Sequence, residues 1–280
     1  MSLRNSIFII FLCLFLCGCT VEEKLVNTNY SVIGTEESIG LYRDLKSDTS
    51  RKIAVLDVAP SNYSKDKVEN IYDYGYPLSD EMSHSDFITA LISEYIPENI
   101  GIDIYCPGID EINIDSLKEA LVDITTKDYL VVNMSFVFPH RDTEITNLLK
   151  NINKKNTFLV SSAGNHSLPY SEFPGNLSSV LSIGGIDDSG QLWEHSNFKD
   201  IDFVMPVNFR SSNLDVKVEQ GTSISAAYMT VYLTQLLTIN SKLANEKKEI
   251  VLKEIINEST NNSINELIGN GQPKLKEDFK

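Results

Sequence analysis

Cysteine is scarce in this sequence, and three of its four cysteines lie within the first nineteen residues. Cys106 is the only cysteine in the rest of the chain. This excludes a small fold held together by several disulfides. The stability of the chain must come from a hydrophobic core, and 280 residues with 42% hydrophobic content are enough for one large domain.

Basic residues are also few. The chain has 24 Lys+Arg against 39 Asp+Glu, which gives a formal net charge of -15 at pH 7. A chain of this charge is repelled by a phosphate backbone, so nucleic-acid binding is excluded as its function. The same charge mildly favours basic partners.

No apolar run is long enough to span a bilayer. Residues 7–16 form an apolar run after Arg4, which is typical of the central region of a secretory signal. The residues Leu-Cys-Gly-Cys at 16–19 resemble the lipobox of bacterial lipoproteins, in which the cysteine after a small residue is acylated. The resemblance implies a lipid anchor on Cys19 and a place at the extracytoplasmic face of the cell membrane. Cys17 departs from the small residue usual at its position, so a plain signal peptide or an uncleaved anchor is the alternative.

After residue 50, short apolar runs alternate with amphipathic segments, which predicts an α/β domain with a parallel sheet and crossover helices. The predicted strands are 52–57, 101–106, 129–135, 157–162 and 179–184, and the predicted helices are 84–95, 114–125, 142–152, 223–237 and 246–256. We predict a signal peptide over 1–18, a lipid-anchored tether and lead-in over 19–50, the main domain over 51–260 and a polar tail over 261–280.

Two candidate catalytic side chains lie at element ends in the first half of the domain. Asp57 ends a buried strand, and the carboxyl ends of parallel strands are where open sheets gather their catalytic groups. His84 begins an apolar helix, where a base could face the same crevice. The alternative for Asp57 is an ordinary turn residue, and the histidines at 140, 166 and 195 remain less favoured candidates for the base.

Two further candidates lie in the second half. Ser223 begins a long helix that is apolar on nearly all sides, so the free N–H groups and dipole of the helix would stabilise negative charge beside it. Asn165 follows another buried strand, and its amide could donate to an oxyanion. The alternatives are a helix cap for Ser223 and a turn residue for Asn165.

In combination these motifs resemble the subtilisin-like serine peptidases, or subtilases. The order Asp57, His84, Asn165, Ser223 is that of the family, and the segments 160–165, 173–184 and 221–223 are similar to its oxyanion, connecting and nucleophile motifs. The resemblance covers residues 52–237. It implies a three-layer sandwich with a mostly parallel central sheet and helices on both faces.

The resemblance also implies a mechanism. Asp57, His84 and Ser223 would form the catalytic triad, and Asn165 with the Ser223 backbone N–H would bind the oxyanion. The implied substrate-binding residues are Ser135, Phe136, Val137, Ser162, Ala163 and Gly164. No cofactor is implied as a requirement, and we align no Asp/Asn-rich loop for calcium, so a metal site is left undefined. An α/β-hydrolase is disfavoured because residues 221–225 lack the second glycine of G-x-S-x-G.

The neighbours of the catalytic candidates depart from the family pattern. Val58 and Ala59 follow Asp57 in place of a small hydroxyl residue and glycine, Ser85 and Asp86 replace Gly-Thr after His84, and Ala227 stands where proline is usual. A catalytically inactive subtilase that acts as a surface binding lipoprotein is therefore an alternative. A lipoprotein that binds a small molecule at the strand ends is another.

The expected activity is that of a serine endopeptidase with a peptide or protein substrate. Residues 20–50 are too short to resemble the inhibitory prodomain of the family, and Val137 stands where the family typically has glycine. A β-branched side chain there would crowd an extended substrate. With the lipid anchor, these features predict a processing peptidase for secreted peptides such as lantibiotic leaders.

Overall fold

The computed structural model describes residues 36–61, 67–209, 219–259 and 267–275. The predicted signal peptide and Cys19 lie outside the described residues. No helix in the described ranges is long and apolar enough to cross a membrane.

Seven strands form one parallel sheet, which confirms the predicted fold class. Its order is β2-β3-β1-β4-β5-β6-β7, and every neighbouring pair is parallel. The strands are β1 (Lys52–Leu56), β2 (Val68–Tyr72), β3 (Ile102–Tyr105), β4 (Tyr129–Met134), β5 (Phe158–Ser162), β6 (Leu181–Ile186) and β7 (Phe203–Pro206). A short antiparallel pair, β8 (Asn208–Phe209) and β9 (Glu219–Gln220), follows.

Helices cover both faces of the sheet. The helices are α1 (Glu36–Ile39), α2 (His84–Tyr95), α3 (Ile114–Thr125), α4 (Thr143–Asn153), α5 (Thr222–Ile239), α6 (Ser241–Ala244) and α7 (Lys248–Asn257). In β1, Ile53 and Val55 belong to the core beneath α2, α5 and α7, whereas Ala54 and Leu56 belong to the core beneath α3 and α4. The alternation follows from the period of a strand, whose successive side chains point to opposite faces. The result is the predicted three-layer sandwich.

Helix α5 is the most buried helix of the site. Every residue from Ile224 to Leu237 is buried. Ridges of apolar side chains on all sides let it pack against the sheet, α2 and the C-terminal elements together. A buried helix of 18 residues holds its N-terminus in a fixed position, which matters because Ser223 is its second residue.

The predicted elements agree with the structure at several bounds and miss four strands. Helices α2 and α3 have the predicted bounds. Strand β2 was missed because its sequence VENIY is half exposed and polar at the sheet edge, and β7 because it is short and ends in Pro206. Strand β6 begins two residues later than predicted, since a turn closed by Val180 N–H and Leu177 O precedes it.

Parts of the predicted lead-in and tail pack on the domain. Ile39 is fully buried, and its carbonyl accepts a hydrogen bond from the Leu275 N–H at 2.9 Å. Gln235 on α5 exchanges two hydrogen bonds with the backbone of Tyr42, at 2.9 and 2.8 Å. These contacts join residues 39–42 and Leu275 to the core around α5.

Candidate active site

The predicted site residues follow three strands that are neighbours in the sheet. Asp57 follows β1, Ser135 follows β4, and Ala163 follows β5. Because parallel strands end at the same edge, these residues share one side of the molecule. The sheet order thus brings together side chains that are far apart in the chain.

Asp57 and His84 form a direct pair. Both carboxylate oxygens of Asp57 lie 2.9 Å from His84 Nδ1, and Asp57 Oδ1 also accepts the Val58 N–H at 2.8 Å. The Asp57 side chain is 4% exposed and the His84 side chain 33%. A carboxylate accepts, so Nδ1 carries the proton and Nε2 of a neutral ring is left as an acceptor.

Opposing effects set the pKa of His84. Burial lowers the pKa of the imidazole, but the charge and hydrogen bond of Asp57, with the charge of Glu219, outweigh it, so the pKa lies above its ordinary value. Glu219 lies in β9, four residues before Ser223. Its charge favours the protonated imidazole, as the charge of Asp57 does.

Asp86 fixes the start of α2. Its carboxylate accepts the Ser83 N–H at 2.7 Å and the Ser61 N–H at 3.0 Å. The first contact satisfies a free donor at the helix end, and the second ties the chain after β1 to α2. The departure from the family pattern at residue 86 therefore places a buried carboxylate in a supporting position beside His84.

Ser223 is not the cap of its helix. The N-cap of α5 is Gly221, so the alternative interpretation of Ser223 as a cap is wrong. The Ser223 hydroxyl donates to the Ser135 carbonyl at 2.9 Å, and the Ser135 hydroxyl donates to the Ser223 carbonyl at 3.0 Å. Within the described part of the chain the Ser223 hydroxyl makes no hydrogen bond to His84.

Asn165 lies beside the start of α5. Its Oδ1 accepts from the Thr222 N–H at 3.0 Å and from the Thr222 hydroxyl at 2.7 Å. Two donors on one atom identify it as the oxygen, so Nδ2 is the free end of the amide. A Cβ atom on Gly221 would lie 3.2 Å from this Nδ2, and the left-handed φ of +156° further favours glycine there.

The predicted substrate-binding residues lie on two segments that follow β4 and β5. Ser135 is buried, whereas Phe136 and Val137 are partly exposed. Ser162, Ala163 and Gly164 are buried. Residues 172–173 connect these two segments. The Phe138 N–H donates to the Phe173 carbonyl at 2.7 Å, and the Glu172 N–H donates to the Ala163 carbonyl at 3.0 Å.

Sequence reasoning missed the residues that hold the site together. Thr222 orients Asn165, Asp86 supports His84, and Glu172 contacts His166 and Asn197. The spacing of Ser83 and Asp86, three residues apart, is a capping signal that can be read from the sequence. No such signal in the sequence marks Glu172. The histidines at 140, 166 and 195 are exposed, as expected of loop residues. No cluster of three or more metal-ligating side chains occurs in the described ranges.

Comparisons with known proteins agree with this geometry. The model of the subtilase family matches residues 74–271, more than half of the chain, in a range that includes His84, Asn165 and Ser223 but begins after Asp57. A search of curated proteins finds no match.

Solved structures of similar fold cover most of the chain. The S41 psychrophilic protease has a TM-score of 0.71 at 16% identity, over 82% of this chain and 93% of its own. A lanthipeptide protease has a TM-score of 0.68 at 16% identity, over 83% of this chain and 87% of its own. A mutant form of the epidermin leader peptide processing serine protease from Staphylococcus aureus has a TM-score of 0.67 at 15% identity, over 82% of this chain and 75% of its own. With the family match and the shared three-layer fold, these findings show that the chain belongs to the subtilase family of serine peptidases.

Proposed function

We propose that the chain is a serine endopeptidase with Asp57, His84 and Ser223 as its triad. The observation that carries the proposal is the Asp57–His84 pair, which leaves Nε2 of the neutral ring as an acceptor. Turning the Ser223 hydroxyl from the Ser135 carbonyl toward Nε2 would complete the triad.

The proposed reaction begins with attack of Ser223 Oγ on a peptide carbonyl as its proton passes to His84 Nε2. The oxyanion would accept hydrogen bonds from Asn165 Nδ2 and the Ser223 N–H, neither of which has a hydrogen-bond partner in the described residues. His84 then protonates the leaving amine and the C–N bond breaks. Water hydrolyses the acyl ester with His84 again as base, which restores Ser223.

We further propose a dedicated role in processing secreted peptides, such as removal of lantibiotic leaders. Two structural neighbours are described as a lanthipeptide protease and an epidermin leader peptide processing protease, and these names motivate the substrate class. Val137 supports a narrow specificity, since its partly exposed β-branched side chain lies on the predicted substrate edge. A random peptide library tests this: cleavage as broad as that of a digestive subtilase would contradict it, and Val137→Gly should widen the accepted set.

The proposed location is the extracytoplasmic face of the cell membrane, through a lipid on Cys19. The support is the sequence at residues 16–19 alone. An anchored enzyme would meet peptides as they emerge from the cell.

An inactive subtilase that binds partners is the second candidate. The hydrogen bond of the Ser223 hydroxyl to Ser135, in place of His84, favours it. A fluorophosphonate probe separates the two, because it reacts with an activated serine. Labelling of the wild type that is lost in Ser223→Ala, with an unchanged melting temperature, supports the enzyme. Folded wild-type protein that resists the probe would support the binding protein.

A further inference from the structure

Glu172 occupies a position between the two predicted substrate segments. Its N–H donates to the Ala163 carbonyl at 3.0 Å, and the next residue, Phe173, accepts from the Phe138 N–H at 2.7 Å. One segment follows β4 and the other follows β5. Glu172 therefore lies between the two segments along which an extended substrate is predicted to run.

The carboxylate of Glu172 lies against the segment that contains Asn165. A Cβ atom on Gly164 would lie 2.3 Å from Glu172 Oε2, and the φ of +112° at Gly164 is one that favours glycine. Gly164 directly precedes Asn165. A substrate residue whose carbonyl binds at Asn165 and Ser223 would therefore have its side chain near Glu172.

Apart from His166, which carries a charge only when it is protonated, no described side chain offers a positive charge to Glu172. Its side chain is 10% exposed, and no lysine or arginine pairs with it in the described ranges. Oε2 accepts from His166 Nδ1 at 2.7 Å and from Asn197 Nδ2 at 3.0 Å, whereas Oε1 makes no hydrogen bond to any described residue. A carboxylate removed from water in this way is stabilised by a cationic partner.

Asn197 holds the carboxylate in place. It is fully buried, and its amide also donates to the Ala163 carbonyl at 2.9 Å. Its Oδ1 accepts the N–H groups of His166 and Leu168, at 3.0 and 2.9 Å. A fully bonded amide cannot rotate away, so the Glu172 carboxylate that it holds through Oε2 stays in place.

We propose that Glu172 selects a lysine or arginine side chain on the substrate residue immediately before the cleaved bond. The inference rests on the proposed peptidase function. An acidic residue beside the side chain of the substrate residue before the cleaved bond is a physical means by which serine proteases select basic residues. The cation of the substrate supplies the positive counter-charge for the Glu172 carboxylate. The net charge of -15 also attracts basic peptides from a distance.

The test uses three fluorogenic peptides that differ only in the residue before the scissile bond, which is arginine, citrulline or leucine. Citrulline keeps the shape of arginine without its charge. We expect the wild type to prefer arginine over citrulline in kcat/KM by about 10²-fold, the size of a charge-assisted hydrogen bond. Glu172→Gln should abolish this preference, which is measured as the ratio of the two kcat/KM values in the same variant, with the leucine peptide as the reference for cleavage that needs no charge. Glu194→Gln, which removes an exposed charge in the same region, should keep the preference.

Probe labelling at Ser223 and melting temperature accompany each measurement. A labelled wild type that cleaves the citrulline peptide as fast as the arginine peptide, or that cleaves neither, overturns the inference and leaves the proposed function intact. A preference that persists in folded Glu172→Gln overturns the assignment to Glu172. The wild-type ratio needs no variant, so poor folding of Glu172→Gln does not remove the test. A wild type that resists the probe overturns the proposed function, and this inference with it.

Discussion

Replacing Asp57 by asparagine should disable the proposed base by changing the tautomer of His84. In the structure the Asp57 oxygens both lie 2.9 Å from Nδ1, and Oδ1 also accepts the Val58 N–H. An asparagine that keeps the Val58 contact must place its NH₂ group toward Nδ1. Nδ1 then becomes an acceptor and the proton moves to Nε2, which can no longer accept from Ser223.

The expected loss in kcat is about 10⁴-fold, the size seen when a triad aspartate becomes asparagine with its geometry retained. At about 1.36 kcal/mol for each factor of ten, this corresponds to about 5.4 kcal/mol of transition-state stabilisation. The assay is hydrolysis of a fluorogenic peptide that the wild type cleaves, together with the rate of fluorophosphonate labelling. Asp110→Asn, at an exposed position, is the matched control and should keep wild-type activity.

The pH dependence gives a second measure of the same contact. His84 must be neutral to act as a base, so wild-type activity should fall as the pH drops through its raised pKa. Without the Asp57 charge, burial lowers that pKa, and the residual activity should lose its acidic limb at a lower pH. Activity of Asp57→Asn within about tenfold of the wild type, with an unmoved acidic limb, would refute the role of Asp57.

Other changes probe the same site and the anchor. Asn165→Ala should lower kcat by about 10²–10³-fold with a smaller effect on KM, as steady-state kinetics would measure; an unchanged kcat would exclude Asn165 from the oxyanion hole. Glu219→Gln removes a charge that raises the His84 pKa, so the acidic limb of the pH–rate profile should move to lower pH, by less than in Asp57→Asn; a move to higher pH would contradict the assigned cause. Cys19→Ser should move the protein from the membrane fraction to the soluble fraction or stall its processing, as cell fractionation would show; wild-type protein found soluble without a lipid would refute the anchor.

Element types could be predicted wherever the apolar pattern was strong. Helices α2 and α3 were predicted at their observed bounds because their apolar residues follow the helical period and their first residues carry capping signals. Strand β2 could not be predicted this way, since its half-exposed edge position leaves little apolar pattern to read. The cap of α5 shows a subtler limit: the sequence offered Ser223 as a cap, but the N-cap is Gly221, and Thr222 bonds to Asn165.

The sequence by itself determined which residues stand at the ends of the buried strands, because an apolar run followed by turn residues marks a strand end within a few positions of the chain. The starts of the two apolar helices at His84 and Ser223 are local in the same way, and with the strand ends they determined the candidate set of Asp57, His84, Asn165 and Ser223. The resemblance of these motifs to the family then implied the three-layer fold. Only the tertiary structure decided which side chains meet. The Ser135–Ser223 contact joins residues 88 positions apart, and the Thr222–Asn165 contact joins residues 57 positions apart. Such pairs depend on the order of strands in the sheet, which apolar periodicity does not encode.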